Sequence, residues 1–235
     1  MEFFKDSPKM KALTFSLDDG VTQDIRMVEL LDKYGLKATF NLNSEKLGQP
    51  RIMVQASGRR IAHHKIAACD VKELYKDHEV AVHTLKHINL TTLDEAEIIH
   101  QVEEDRKNLE TLVGYDIVGM AYPCGGVNND ERVAAIIKAH TPIRYARTIT
   151  STFSFNLQTE NLLQFHATTH FLNGRVDALA DEFLALDTDE PKLFYIWGHS
   201  YELDAHDKWE WFDAFCKKIS GKADIFYGTN KEVLL

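Results

Sequence analysis

Apolar runs of strand length and stretches of helical spacing alternate at least six times along this chain, and few folds accommodate that order. The run Leu13-Thr14-Phe15-Ser16-Leu17 is followed by Ile25, Val28, Leu31 and Tyr34 at helical spacing, with Gly35 as the stop. Lys37-Ala38-Thr39-Phe40-Asn41-Leu42 then reads as a buried strand, so the chain opens on a βαβ unit. Further strands are expected at 79–83, 117–122, 145–149, 162–168 and 193–197, with a last one near 225–227. A capping box at Thr91-Thr92-Leu93-Asp94 opens a helix carrying Ile99, Val102, Leu109 and Val113 on one face, and Gly114 ends it. Other helices are expected at 130–140, 176–186 and 207–219. Residues 45–70 carry Gly48, Pro50, Gly58 and Arg59-Arg60 and read as a long loop with one short helix, packed over one end. No low-complexity linker or internal repeat interrupts the order. It predicts a single parallel α/β domain over 1–235. Polar residues recur at the C-terminal ends of strands, which favours an irregular closed barrel over an open doubly wound sheet.

Charge and apolar content exclude some classes. The 27 basic against 36 acidic residues leave a net charge of −9, which argues against nucleic acid or an anionic membrane as partner. No apolar run reaches the roughly 18 residues of a membrane span. The start, Met1-Glu2-Phe3-Phe4-Lys5-Asp6, lacks a charged-then-apolar leader, so the expected location is the cytoplasm unless a leader has been removed. Cys69, Cys124 and Cys216 are odd in number and widely spaced, as free thiols in a reducing compartment would be.

The first strand stops on two adjacent carboxylates, Asp18-Asp19, followed by Gly20. Like charges side by side repel unless a cation or a proton separates them. The simplest division gives one acid to a metal and the other to proton transfer. His83-Thr84-Leu85-Lys86-His87 sets two imidazoles four residues apart at another strand end, close enough to share a cation. With one aspartate they form a two-His, one-carboxylate set with open positions, suited to zinc or another divalent transition metal such as cobalt, nickel or manganese. The remaining aspartate would take a proton from water, and His199, after the run Leu193-Phe194-Tyr195-Ile196-Trp197, would protonate a leaving group. An isolated Asp-Asp-Gly is usually only a turn. The joint arrival of these pieces at strand ends is what points to a site.

These residues resemble the motifs of the polysaccharide deacetylase (NodB homology) family, carbohydrate esterase family four. Thr14-Phe15-Ser16-Leu17-Asp18-Asp19-Gly20 is similar to its first motif and His83-Thr84-Leu85-Lys86-His87 to its second. Ala121-Tyr122-Pro123-Cys124-Gly125 is similar to the third and Trp197-Gly198-His199 to the last, in the family's order. The resemblance implies a distorted barrel of about seven strands and a metal-dependent deacetylase acting on an N-acetylated carbohydrate. It implies Asp18 as general base, Asp19, His83 and His87 as metal ligands, and His199 as general acid. It also implies that the backbone N–H of Cys124 helps hold the oxyanion. An O-acetyl esterase or other amide hydrolase on the same scaffold, and an inactive carbohydrate-binding relative, are the alternatives.

Two positions depart from the family pattern. Ala121 stands where the third motif carries the arginine that orients the catalytic aspartate, and Cys124 where it carries an aromatic. Arg147, at the end of the fifth strand run, is the expected substitute for that arginine. Trp197, Tyr122 and His170 are candidate pocket residues. Glu202 and Asp204 read as helix caps rather than partners of His199, and His63 and His64 as loop residues. His166 gets no firmer role than a neighbour of the pocket, and Trp209 and Trp211 read as packing.

Overall fold

In chain order the first elements are β1 (Lys11–Asp18), α1 (Asp24–Lys33), β2 (Ala38–Leu42), β3 (Ile52–Val54), β4 (Arg60–Ala62), α2 (Val71–Leu74), β5 (Glu79–Val82), α3 (Glu95–Val113) and β6 (Gly119–Ala121). Then come α4 (Glu131–His140), β7 (Tyr145–Ser151), β8 (Phe165–Ala167), β9 (Thr169–His170), α5 (Val176–Ala185), β10 (Lys192–Gly198), α6 (Tyr201–Ala205), α7 (Trp209–Ile219), β11 (Ile225–Tyr227) and α8 (Asn230–Leu234). This computed structural model describes residues 3–4 and 7–235. Met1, Glu2, Lys5 and Asp6, part of the stretch without a leader pattern, lie outside the described residues.

The main sheet runs β8-β7-β6-β5-β2-β1-β10-β9, and neighbours along that path pair in parallel. Its two ends are β8 and β9, which only Thr168 separates in the chain. Thr168 N–H donates to Tyr195 O at 2.8 Å on one side, and Phe153 N–H donates to Thr168 O at 3.0 Å on the other. The path of pairing therefore starts and finishes on one segment, which with six further strands gives the expected count of about seven. β11 adds to the start of β1, outside this path.

β1 shows why such a sheet suits a site. All eight of its residues are buried, yet its two faces differ. Leu13, Phe15 and Leu17 pack into the apolar core with Met27 and Leu31 of α1 and Phe212 of α7. Thr14, Ser16 and Asp18 alternate to the other side and hydrogen-bond to Asn230, Asn41 and Arg147. Near its lower end Glu79 accepts from Thr39 Oγ1 at 2.7 Å, Tyr145 Oη at 2.8 Å and Lys231 N at 2.9 Å. These bonds across the strands satisfy the buried carboxylate and hydroxyls they join, which offsets part of the cost of a polar inner row.

Four expectations need correction. Residues 45–70 contain the antiparallel hairpin β3–β4, whose short strands are too irregular to show alternation. The long helix is capped by Asp94, which accepts from Glu97 N at 2.9 Å; the Thr91 position falls in a separate 3-10 turn, Leu90–Thr92. The strand expected at 162–168 begins with a 3-10 turn, Leu162–Gln164, and only Phe165–Ala167 pairs. The helix expected from 207 starts at Trp209, behind the short α6. No described helix is long and apolar enough to cross a membrane.

Candidate active site

At the C-terminal ends of β1, β5 and β10 polar side chains meet in a cleft of about 280 Å³. Asp18, Asp19, His83, His87, Trp197 and His199 line it, with Tyr122, Cys124 and Tyr201. Asp18 and Asp19 separate because the backbone turns left-handed between them, with φ of 85° at Asp19 and 59° at Gly20. Gly20 is required on a second count, since a Cβ there would sit 2.6 Å from Leu42 Cδ2.

Asp18 continues the inner row. Both its oxygens accept from Arg147 Nη2, one at 2.6 Å, and Asn41 Nδ2 donates to Oδ1 at 2.8 Å. Burial raises such a carboxyl, but the Arg147 guanidinium, with His83 and His199 behind it, holds Asp18 below its ordinary value. Asp18 is thus ionised and oriented at neutral pH. Arg147 is itself fully buried, bonded to Ser16 Oγ and Thr148 O, and lies 4.5 Å from the Trp197 ring centre.

Asp19, His83 and His87 offer one ligand atom each, all within 4.8 Å of one another. His83 Nδ1–H donates to the Ala121 carbonyl at 2.9 Å, which leaves Nε2 with its lone pair toward the cleft. His87 Nε2 lies 3.4 Å from Asp19 Oδ1. Two imidazole nitrogens and one carboxylate oxygen fit a divalent transition metal in the way the spacing predicts. The turn that brings both rings in is strained, with φ of 64° at Thr84 and 58° at His87. Asn43 Nδ2 holds it by donating to His83 O and Thr84 O, at 2.5 and 2.9 Å, while Asp105 Oδ2 accepts from His83 N at 3.1 Å.

His199 directly follows β10, with Nε2 3.9 Å from Asp18 Oδ2 and Nδ1 3.2 Å from Glu202 Oε2. Burial works against its charge, but Glu202 and then Asp18 and Asp19 raise its pKa to about 9. His170 Nε2 lies 3.0 Å from the same Glu202 oxygen. These three groups also lie within 4.8 Å of one another. Leu172 N–H donates to His170 Nδ1 at 3.1 Å, so the neutral ring carries its proton on Nε2, facing Glu202. A cation there would have to displace the ring's one proton, so the cluster reads as a carboxylate between two imidazoles.

The family model for polysaccharide deacetylases matches residues 5–141. The chain belongs to the polysaccharide deacetylase family. YxkH of Bacillus subtilis (strain 168), described as a polysaccharide deacetylase, is 22% identical over 129 residues, or 54% of this chain and 42% of that protein. The chain thus spans under half the length of that relative. Its fold is similar to the polysaccharide deacetylase BC0361 of Bacillus cereus, with a TM-score of 0.51 and 18% identity over 64% of this chain and 44% of that one. It is also similar to BA3943 of Bacillus anthracis, a pseudoenzyme of carbohydrate esterase family four, with a TM-score of 0.56 and 18% identity over 97% and 67% of the two chains.

Arg147, which bonds Asp18, stands on the strand beside Ala121. Ala121 on β6 pairs in register with Arg147 on β7, so the guanidinium arrives at the same height from the neighbouring strand. The third-motif loop is held by Asn128, whose Nδ2 donates to the carbonyls of Tyr122, Pro123 and Cys124 at 3.2, 3.0 and 2.9 Å. Cys124 itself is left-handed, with φ of 70°, and its Sγ lies 3.8 Å from His87 Nδ1. Tyr122 and Trp197 border the cleft as expected, and Tyr122 Oη donates to Leu163 O. His170 stands behind the lining residues, its ring edge-on to Trp197 at 4.6 Å and its Nε2 3.0 Å from Glu202.

The structure departs from the expected roles at several other residues. Glu202, read as a cap, does accept from His199 N at 3.0 Å, but the same oxygen faces both histidine rings. Asp204 is elsewhere, accepting from Gln23 and Trp209. His166 pairs with Thr148 outside the cleft. His64 is the loop residue expected, accepting from Arg51 N, whereas His63 is buried 3.2 Å from Asp19 Oδ2. Lys65 and Tyr201 complete the surroundings of the site. Neither stands at a regular strand end, so sequence pattern gave no sign of them.

Proposed function

We propose that the chain is a metal-dependent hydrolase, acting as one catalytic domain, that removes the acetyl group from an N-acetylated amino sugar or polysaccharide. What carries this reading is one cleft that combines a three-ligand set with an ionised, oriented Asp18 and a protonated His199. Asp19, His83 and His87 would hold a divalent cation, zinc first and cobalt, nickel or manganese as other fits to the donor set. Such a cation supplies an electrophile for the amide carbonyl and eases ionisation of water. Asp18 takes the proton of the attacking water, and Arg147 and Asn41 keep its lone pairs aimed. The Cys124 N–H donates to the carbonyl oxygen as charge gathers there. His199 gives its proton to the departing amine, and Glu202 keeps that proton available. Trp197 and Tyr201, both partly exposed, offer flat apolar surface for a sugar ring, with the buried Tyr122 forming the wall of the cleft.

Acetate release from N-acetylated amino-sugar oligomers and from O-acetylated sugars tests the reading. Acetate from the amides is expected. Acetate from esters alone would replace this function with the esterase one, and none from either, with metal bound, would favour an inactive carbohydrate-binding relative.

Two residues make sharper tests. His199→Ala is expected to bind metal normally and to lose about a hundredfold on an amide, the usual scale for a missing acid. An activated acetyl ester, whose leaving group needs no proton, should be spared; equal losses on both would show that His199 only shapes the pocket. The sign of the pH dependence follows from its raised pKa. Turnover of the amide should fall as pH rises through the His199 pKa, and Glu202→Gln should bring that fall to lower pH.

Arg147→Ala should cost at least about tenfold in turnover, because a buried carboxylate then loses its guanidinium. Adding Ala121→Arg to it returns a guanidinium at the same level and should recover much of the loss. No recovery in a folded double variant would separate Arg147 from the orienting role.

A further inference from the structure

The segment 63–66 belongs to none of the family motifs, yet it builds the wall behind Asp19. Val21 and Lys65 form an antiparallel bridge. Thr22 N–H donates to His64 O at 2.8 Å, and Ile66 N–H donates to Gly20 O at 2.9 Å. Lys65 Nζ then donates to the Asp19 carbonyl at 2.6 Å, clamping a residue held in the left-handed region. Its contact with Asp19 Oδ1 is longer, 3.3 Å.

His63 completes the arrangement. It is 3% exposed, its ring lies edge-on to Tyr201 at 4.7 Å, and its Nε2 is 3.2 Å from Asp19 Oδ2. Its Nδ1 is buried without a partner, so the ring proton belongs on Nε2, where the carboxylate can accept it. His63 does not join the group of ligand atoms within 4.8 Å, which contains only Asp19, His83 and His87 there. It therefore acts from outside the ligand set, on one member of it. With Oδ2 against the His63 donor, Oδ1 is the oxygen turned toward His87, at 3.4 Å, with the Lys65 ammonium 3.3 Å away on its other side.

We propose that His63 is a positioning residue for the cation site, donating to Asp19 Oδ2 so that the carboxylate presents Oδ1 alone, while Lys65 secures the turn beneath it. This rests on the reading of Asp19 as a ligand. A carboxylate free to rotate would sample two-oxygen and turned-away arrangements, and the site would lose affinity, as metal sites do by roughly 10–100-fold when an outer partner of a ligand is removed.

The test is zinc affinity of the metal-depleted full chain, measured by competition with a coloured chelator, beside thermal melting of the zinc-free protein. His63→Phe keeps the ring against Tyr201 and removes the donor. His63→Gln returns an N–H near the place of Nε2. The expected result is zinc binding weaker by about tenfold to a hundredfold in His63→Phe and close to the parent in His63→Gln, with similar melting of both. Unchanged affinity in His63→Phe, while Asp19→Asn has lost zinc, would overturn the positioning role and leave the ligand reading standing. Equal weakening in both His63 variants would overturn it too, by showing that shape alone matters. If Asp19→Asn binds zinc like the parent, the ligand reading fails and this proposal with it. Should His63→Phe not fold, His63→Gln decides: parent-like affinity supports the donor role and a tenfold loss overturns it.

Discussion

Asp18→Asn is expected to retain its metal and to lose about a thousandfold in turnover, within the range found for removal of a general base and equivalent to about 4 kcal/mol of barrier. The substitution is close to isosteric. The amide oxygen of the new side chain can still accept from Arg147, so the buried guanidinium keeps a partner and the chain should remain folded. What is lost is the ability to take a proton. The prediction separates the two adjacent acids because Asp18 lies with Arg147 and Asn41, whereas Asp19 faces His87. Loss of metal from Asp18→Asn would mean that the two acids have exchanged roles or that both are ligands.

His87→Ala and His83→Ala should lose metal and activity together, down to background, because two remaining ligands hold a divalent cation poorly. His87 is the cleaner of the two. It stands on the rim, while His83 is buried and its loss also strands the Ala121 carbonyl it now satisfies. Melting with and without zinc gives a readout independent of turnover. A ligand that binds only the folded chain adds about 2.7 kcal/mol at a hundredfold excess over its Kd, so zinc should raise the melting point of the parent and leave His87→Ala where it was. Full metal retention in both variants would remove these histidines from the site.

The parts of this fold that repeat were the legible ones. Apolar runs of strand length marked β1, β2, β5, β7 and β10, and their polar last residues marked Asp18, Asp19, His83 and His199. What escaped depends on partners distant in sequence. His63 and Lys65 sit in a stretch whose only strands are the two three-residue strands of a hairpin, and nothing local tells that it folds back along residues 20–22. Glu202 was read as a cap, and it does accept from the His199 backbone; that its oxygen also faces two imidazoles needs β9 and β10 side by side. Arg147 could be suspected from the gap at Ala121, but only register joins them. Thr229-Asn230-Lys231-Glu232 is a capping box that local sequence does show, and it starts α8.

The position of β1 in the sheet has a consequence for how the chain folds. β1 lies between β2 and β10, so Lys11 meets Lys192 and Leu17 meets Gly198 across almost the whole sequence. Until β10 has been synthesised, the first strand presents an open edge of unpaired amides beside an apolar face, the arrangement most prone to join another chain. Contacts of such long range are slow to form. Asp18 and His199 therefore meet late in assembly, and His199 must have left the ribosome before the cleft can exist. Chains cut short of Lys192 should accumulate as aggregates rather than as a smaller enzyme.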